Sequence, residues 1–206
     1  MAYGEAAGLD KAIKEAAAII KAGGLVVYPT ETVYGLAASA FNRIAVLKVF
    51  GAKRRPLDNP LSVAVRDIRQ ADEIAYVNTA ARKLAKAFLP GPLTIVLKKK
   101  AKLPKELTAG SDKVGIRIPR NDIALKLIEL AGPITATSAN VSGKPSITTA
   151  DEAREQLGGR VDLVLDGGPS QIGVESTVVD VSEEGRCEIL RDGAVARAAI
   201  KDALAR

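Results

Sequence analysis

The chain has 206 residues, of which 47% are hydrophobic and 26% are charged, and its formal net charge at pH 7 is +6. This content suits one globular domain over residues 1–206, and the basic balance favours an anionic partner such as a nucleotide, an RNA or an acidic metabolite. One cysteine and no histidine exclude an intramolecular disulfide, cysteine- or histidine-based zinc sites and Ser-His-Asp or Cys-His catalysis.

The N-terminal residues MAYGEAAGLD lack the basic and apolar regions of a secretory signal. No apolar run in the sequence approaches the length of a membrane span. We therefore expect a cytoplasmic protein that has no membrane partner.

The first two thirds of the chain alternate between helices and strands. Apolar residues recur at helical spacing from Leu9 to Ile20, and Gly23-Gly24 ends that helix. A later helix over 42–51 should bury Ile44, Leu47, Val49 and Phe50. The elements predicted after the first helix are strand 24–29, helix 42–51, strand 61–65, helix 78–88, strands 93–98 and 114–119, and a helix with Ile123, Leu127 and Leu130 that ends at Gly132-Pro133.

The last third of the chain mixes consecutive strands with helices. The predicted elements are strand 134–138, the turn-forming loop NVSGKPS, helix 149–157, strands 161–166, 176–181 and 187–190, and a C-terminal helix. Neighbouring strands near 176–190 are typical of antiparallel pairing. The sequence therefore predicts an α/β fold with a twisted, mixed parallel/antiparallel sheet and flanking helices.

Three polar loops lie at the ends of predicted strands: 30–36 (TETVYGL), 139–140 and 173–177 (GVEST). Loops at the carboxyl ends of strands build the ligand crevice of α/β proteins, and their hydroxyls and N–H groups can hold phosphate oxygens. Each loop alone is also explained by ordinary turn chemistry. Together they predict a polar ligand site, although the chain has neither a Walker A sequence nor GxGxxG.

The segment GAKRRPLDNP places Lys53, Arg54 and Arg55 between a predicted helix and strand and closes with Pro56 and Pro60. A solvated loop and a rigid clamp for an anion both explain it. In an extended loop, residues two apart share one side, so Lys53 and Arg55 would lie together with Arg54 turned away.

Two further arginines interrupt apolar sequence. Arg117 in VGIRIP lies either on the polar side of a half-exposed strand or in a site for a carboxylate or phosphate. Arg191 in ILRDG lies where a strand gives way to a turn, and a solvated side chain is its simpler interpretation.

In these motifs the chain resembles the YrdC-like family of threonylcarbamoyl-adenylate synthases. The matching segments occur in family order over roughly residues 10–195: YPTETVYGL, AKRRPLDNPL, LPGPLTIVL, VGIRIP, TATSANVSGKPS, GVESTVVD and ILRDG. The resemblance implies a YrdC-like fold with a cationic concave face. It also implies synthesis of L-threonylcarbamoyl-AMP and pyrophosphate from L-threonine, bicarbonate and ATP, for the modification of adenosine 37 of tRNA.

The resemblance also implies the site residues. The L-threonine site would comprise Thr32, Arg117, Thr137 and Ser176. The ATP site would comprise Lys53, Arg55, Asn59, Ser138, Ala139, Asn140 and Arg191. Mg²⁺ is the expected cofactor, with no ligands assigned, and the expected partner is the threonylcarbamoyl-transfer machinery that acts on tRNA. Catalysis would rest on positioning and charge stabilisation.

The chain departs from many family members at Ala64, where they carry a histidine, and it resembles the single-domain form of the family. Two other functions compete with the synthase. One is a nonenzymatic module that binds double-stranded RNA through the same basic face; the aromatic content of 3% speaks against single-strand recognition. The other is a carbamoyl-transfer domain like those of hydrogenase-maturation proteins.

Overall fold

The computed structural model describes residues 6–100 and 103–205, so residues 1–5 of the N-terminal segment considered above lie outside the described part. Among the described helices, none is long and apolar enough to cross a bilayer. The elements, in chain order, are α1 (Ala6–Lys21), β1 (Val26–Tyr28), β2 (Gly35–Ala37), α2 (Arg43–Lys53), β3 (Ser62–Ala64), α3 (Ile68–Ile74), α4 (Thr79–Phe88), β4 (Leu93–Lys98), β5 (Lys113–Arg117), α5 (Asp122–Ala131), β6 (Ile134–Ala136), α6 (Ala150–Leu157), β7 (Leu163–Val164), β8 (Thr177–Asp180), β9 (Glu188–Arg191) and α7 (Arg197–Ala205).

All the predicted helices and strands are present, and several are shorter than predicted. Two further elements, β2 and α3, were not predicted. The strand β2 overlaps the end of the segment expected to be a polar turn, and it pairs antiparallel with β1. The helix α3 has only seven residues and begins where the side chain of Asp67 accepts a hydrogen bond from the N–H of Gln70. Both elements are too short to show a clear apolar period.

The strands form two mixed sheets. The smaller sheet has the order β2-β1-β7, and the larger has the order β6-β3-β5-β4-β8-β9. The pairs β1–β7, β3–β5 and β4–β8 are parallel, and the other pairs are antiparallel. This arrangement confirms the predicted mixed sheet with flanking helices, divided into two sheets. Backbone bridges from Gly35 to Ser138 and from Ser39 to Ile134 connect them.

Of the four residues of α2 predicted to be buried, Val49 and Phe50 are buried, Leu47 is partly buried and Ile44 is exposed. Ile44 is 67% exposed, whereas Ala45, Val46, Val49 and Phe50 are buried. The helix begins after Asn42, whose side chain accepts hydrogen bonds from the N–H groups of Ile44 and Ala45. The prediction for Ile44 is therefore wrong, and the buried side continues to Ala52 and Lys53.

Asn78 both caps α4 and ties it to the larger sheet. Its Oδ1 accepts a hydrogen bond of 2.9 Å from the N–H of Ala81. Its Nδ2 donates to the carbonyl oxygen of Val181, just after β8, at 2.6 Å. One side chain thus fixes a helix start against the strand that follows the loop 173–177.

We expect Asn78→Ala to lower the free energy of unfolding by about 2 kcal/mol, since the helix cap and the hydrogen bond to Val181 each contribute about 1 kcal/mol. Asn78→Ser is the matched control, because serine caps helices well but is too short to replace the second contact; it should lose about 1 kcal/mol. Urea unfolding followed by circular dichroism measures both. Equal losses in the two variants would contradict a contribution from the cap.

Candidate active site

A cleft of about 570 Å³ collects most of the predicted site residues. The residues that line it are Lys53, Arg55, Asn59, Arg117, Thr137, Ser138, Asn140, Ser176 and Arg191. Thr32 and Ala139 do not line it, and both are completely buried. The structure therefore brings the polar loops of 30–36, 138–142 and 173–177 to one place, as the sequence predicts; the individual roles stay predictions.

Arg117 ends β5 and is nearly buried, with 11% of its side chain exposed. Its Nη2 donates to Glu31 Oε1 at 3.0 Å, to Thr32 Oγ1 at 2.6 Å and to Thr30 Oγ1 at 3.4 Å. Its Nε is buried and has no hydrogen-bond partner among the described residues. The interpretation that Arg117 lies on the polar side of a half-exposed strand is therefore wrong.

Glu31 is the residue of this cluster that sequence reasoning missed. Its side chain is 1% exposed, and its Oε2 accepts a hydrogen bond of 3.1 Å from the backbone N–H of Arg120. A buried arginine requires a partner carboxylate, and an acid between two threonines in YPTETVYGL was the available signal. Thr32 thus lies behind Arg117 and supports the guanidinium from the side away from the cleft.

Lys53 is the last residue of α2 and does not lie in an extended loop. Arg54 follows in the left-handed conformation, with φ of 51°, and reverses the chain. The expected extended geometry of residues 53–55 is therefore wrong, although Arg54 is exposed as expected. Arg55 is half-buried and reaches the cleft from the turn that follows.

Lys53 is buried, and acceptors from another loop surround its amine. Nζ donates to the carbonyl oxygen of Asn140 at 2.6 Å, to Asn140 Oδ1 at 3.4 Å and to the carbonyl oxygen of Ser138. In return, the N–H of Ser142 donates to the carbonyl oxygen of Lys53 at 2.9 Å. Lys53 therefore ties the loop 138–142 to the end of α2.

Arg55 shapes the loop that follows it. Its Nε donates to the carbonyl oxygen of Asn59 at 2.9 Å and its Nη2 to that of Pro60 at 3.0 Å. The N–H of Asn59 donates to the carbonyl oxygen of Pro56 at 3.2 Å. The segment 55–60 is thus closed on itself around the guanidinium, which keeps Arg55 at the cleft.

Arg191 also lies in the cleft, beside a second carboxylate that sequence reasoning missed. Its Nη2 donates to the carbonyl oxygen of Ser176 at 2.7 Å and to Ser176 Oγ at 3.2 Å, and its Nη1 pairs with Glu175 Oε2. Glu175 Oε1 accepts a hydrogen bond of 2.7 Å from Ser146 Oγ. Burial raises the pKa of Glu175, but the Ser146 hydrogen bond and the charge of Arg191 outweigh it and hold that pKa below its usual value.

The charges at this end of the cleft are coupled. Burial and the charge of Arg55 lower the pKa of Lys53 to about 7, against the opposing effect of Glu175. Burial also lowers the pKa of Arg55. Glu175 pairs with Arg191 and its charge also acts on Lys53 and Arg55, so one carboxylate faces three cations and a ligand with clustered negative charge would balance them.

Other parts of the site are polar but not of one sign. The lining includes Asp180, which pairs with Lys113 at 2.9 Å, so the expected cationic concave face stays a prediction. Ser176 Oγ lies 2.9 Å from Thr94 Oγ1. Ala64 is buried and does not line the cleft. Within the described residues, no group of three or more acidic or cysteine side chains could hold a metal ion.

Comparisons with known proteins agree with the motifs. The family model Sua5_yciO_yrdC, described as "Telomere recombination", matches residues 18–193. The threonylcarbamoyl-AMP synthase of Pyrococcus abyssi is 49% identical over 173 residues, which cover 83% of this chain and 51% of that protein. The threonylcarbamoyl-AMP synthase of Bacillus subtilis is 44% identical over 195 residues, which cover 93% of this chain and 56% of that protein.

A solved structure shares the fold as well. The crystal structure of P. abyssi Sua5 complexed with L-threonine matches with a TM-score of 0.91 and 45% identity, over 94% of this chain and 57% of that one. The chain spans about half the length of these relatives.

Lys53→Met should change how stability depends on pH. The unfolded chain holds the lysine proton up to the ordinary pKa of 10.5, whereas the folded protein releases it above about 7. The wild type should therefore gain stability relative to Lys53→Met as the pH rises from about 7 to 10, by at most about 1.4 kcal/mol per pH unit. Urea unfolding of both proteins across this range measures the difference, and a difference independent of pH would contradict the lowered pKa.

Proposed function

This chain belongs to the Sua5/YciO/YrdC family, and we propose that it is an L-threonylcarbamoyladenylate synthase, a nucleotidyltransferase. It would convert L-threonine, bicarbonate and ATP into L-threonylcarbamoyl-AMP and pyrophosphate. The observation that carries the proposal is one cleft with Arg117 at one place and the cations Lys53, Arg55 and Arg191 at another. Support also comes from the relatives at 49% and 44% identity, which are named threonylcarbamoyl-AMP synthases, and from the relative solved with L-threonine.

On the amino-acid side, Arg117 would bind the carboxylate of L-threonine. Its Nη2 donates to Glu31, Thr30 and Thr32, which fixes the direction of the guanidinium before substrate arrives. Thr137 and Ser176 line the cleft and would contribute hydroxyl groups. Thr32 would act through Arg117, because it is buried behind it.

On the nucleotide side, Arg55 and Arg191 would bind phosphate oxygens of ATP, with Asn59 beside them. Lys53 would add its charge while its amine holds the loop of Ser138 and Asn140. Ala139 would support the nucleotide site by fixing the same loop, because its N–H donates to the carbonyl oxygen of Tyr34 at 2.8 Å.

The chemistry requires no protein nucleophile. The threonine amine and bicarbonate give a carbamate and water, and a carbamate oxygen then attacks the α-phosphorus of ATP. That bond forms as the bond to pyrophosphate breaks, which leaves a mixed anhydride with AMP. The protein would accelerate these steps by holding the two reacting groups together and by neutralising phosphate charge. This mechanism suits a chain that has no histidine.

Mg²⁺ is proposed as the cofactor, in the form that accompanies ATP. Mg²⁺ usually binds one or two carboxylates together with substrate phosphates. Glu175 lines the cleft, but its two carboxylate oxygens are engaged by Ser146 and Arg191, and the described residues offer no larger cluster of acids, so the phosphate oxygens of ATP and water would supply most of the ligands. When bound, the ion would neutralise charge on the phosphate oxygens.

The proposed product is a reactive anhydride, so it would pass to the threonylcarbamoyl-transfer machinery that modifies adenosine 37 of tRNA, in the cytoplasm. Direct RNA binding through basic side chains remains part of the proposal. A purely nonenzymatic RNA-binding module is not favoured, because the named relatives are synthases.

The synthase should release pyrophosphate from ATP only when L-threonine and bicarbonate are both present, because the carbamate formed from them is the nucleophile. A pyrophosphate assay with each substrate left out in turn, with mass spectrometry of the AMP-linked product, measures this. Equal pyrophosphate release without threonine would contradict the proposal and would indicate a general nucleotide hydrolase instead.

Arg55→Ala and Arg54→Ala form a matched pair of neighbouring arginine variants. Arg55 is half-buried at the cleft and Arg54 is exposed. Losing a charge that contacts the phosphates typically costs about 2–5 kcal/mol, so Arg55→Ala should reduce synthesis at least about thirty-fold. Arg54→Ala should reduce it less than about five-fold.

Pyrophosphate release over a range of ATP at saturating threonine and bicarbonate compares the two variants, with thermal melts to verify folding. Similar small effects in both variants would favour a solvated loop. A larger effect from Arg54→Ala would overturn the assignment of Arg55.

A further inference from the structure

Tyr28 ends β1 with a hydroxyl that the described part of the protein does not use. The residue is 2% exposed and lines the cleft. Its ring packs in an apolar cluster with Val26, Ala64 and Ile134. Among the described residues, no side chain or backbone group forms a hydrogen bond with Tyr28 Oη, and the nearby donor Arg117 Nη2 is directed at other oxygens. Tyr28 Oη is not one of the buried polar atoms that lack a partner within the described residues, so it is accessible from the cleft that Tyr28 lines and can bond to a ligand there.

Tyr34 provides the comparison within the same cleft. It is also buried and also lines the cleft. Its Oη donates to the carbonyl oxygen of Gly168 at 2.7 Å and accepts from the N–H of Gly167 at 3.2 Å. Within its described residues, the chain thus satisfies the hydroxyl of one buried tyrosine and leaves the other available at the cleft.

The glycine opposite Tyr28 on β2 leaves room for the tyrosine ring. Gly35 pairs with Tyr28 in the register of β1 and β2. A Cβ at Gly35 would lie 2.7 Å from the Tyr28 ring and 3.0 Å from its Oη, which is closer than a side chain tolerates. Glycine at this position allows the phenol to lie across the backbone at the edge of the cleft.

The charged neighbours of Tyr28 are Arg117 and Glu31. Burial raises the pKa of Tyr28 to about 12, while the charge of Arg117 lowers it and that of Glu31 raises it. The hydroxyl is therefore a neutral donor throughout the physiological range. Arg117 Nη2 already donates to Glu31 and to Thr32. A carboxylate bound by Arg117 would therefore keep acceptor sites free for a second hydrogen-bond donor.

We propose that Tyr28 Oη donates a hydrogen bond to the carboxylate of the amino acid that Arg117 binds, which makes Tyr28 a substrate-binding residue. The inference rests on the proposed function and assigns a further contact to the same site. One contact would account for three features: the free hydroxyl of Tyr28, the guanidinium of Arg117 near it and the glycine at position 35 opposite it.

Tyr28→Phe and Tyr34→Phe test the inference as a matched pair, since each removes one hydroxyl from the same cleft. Isothermal titration of the purified protein with L-threonine measures affinity, and thermal melts measure stability. Tyr28→Phe should weaken L-threonine binding about ten-fold, as for a hydrogen bond to a charged group, and leave the melting temperature unchanged. Tyr34→Phe should lower the melting temperature and affect threonine affinity much less.

A second ligand identifies the atom contacted. L-2-aminobutyrate keeps the carboxylate of threonine and lacks its hydroxyl, so Tyr28→Phe should weaken both ligands by the same factor. A loss confined to threonine would overturn the carboxylate contact in favour of the side-chain hydroxyl. If Tyr28→Phe binds threonine as tightly as the wild type does, the inference about Tyr28 is overturned. The proposed function is then still supported by the binding of threonine to the wild type. Absence of threonine binding by the wild type would instead overturn the proposed function.

Discussion

The ion pair between Arg117 and Glu31 is the constraint on which the arrangement of the site depends. Both side chains are almost excluded from solvent, and removing one partner of such a pair typically costs about 3–5 kcal/mol. The pair fastens the loop after β1 to the end of β5, and so joins the smaller sheet to the larger. The same loop accepts backbone hydrogen bonds from Ile172 and Gly173 through the carbonyl oxygens of Glu31 and Thr32. It thereby places the segment that leads to Glu175.

Three cations of the cleft, Lys53, Arg55 and Arg191, are hydrogen-bonded to protein acceptors before any ligand binds. Lys53 is surrounded by carbonyl oxygens, Arg55 closes its own loop, and Arg191 holds Ser176 and Glu175. Each of these side chains is therefore ordered at little further entropic cost when an anion enters. Preorganised charge of this kind is the main means by which a site without a protein nucleophile can stabilise developing negative charge.

Sequence patterns located most of the elements and gathered the site loops, because apolar periods and polar strand ends report local structure. They did not reveal how distant residues pair. Glu31 and Arg117 are 86 residues apart, and Lys53 and Asn140 are 87 apart, so neither contact leaves a local pattern. The extended geometry assumed for 53–55 was wrong because the helix continues to Lys53 and Arg54 turns left-handed. Ile44 was misplaced because Ala45 and Val46 lie on the buried side of α2 with Val49 and Phe50, whereas Ile44 faces solvent.

The parallel pairing of β1 with β7 has a consequence for how the chain matures during synthesis. Leu25 donates its N–H to Asp162 Oδ2 at 2.7 Å across a separation of 137 residues, and Val26 pairs with Leu163 beside it. A ribosome that adds about 5–20 residues per second needs on the order of ten seconds to supply that partner. Until then one edge of β1 has unpaired backbone groups, so the nascent chain presents an open strand edge to the chaperones and other chains around it.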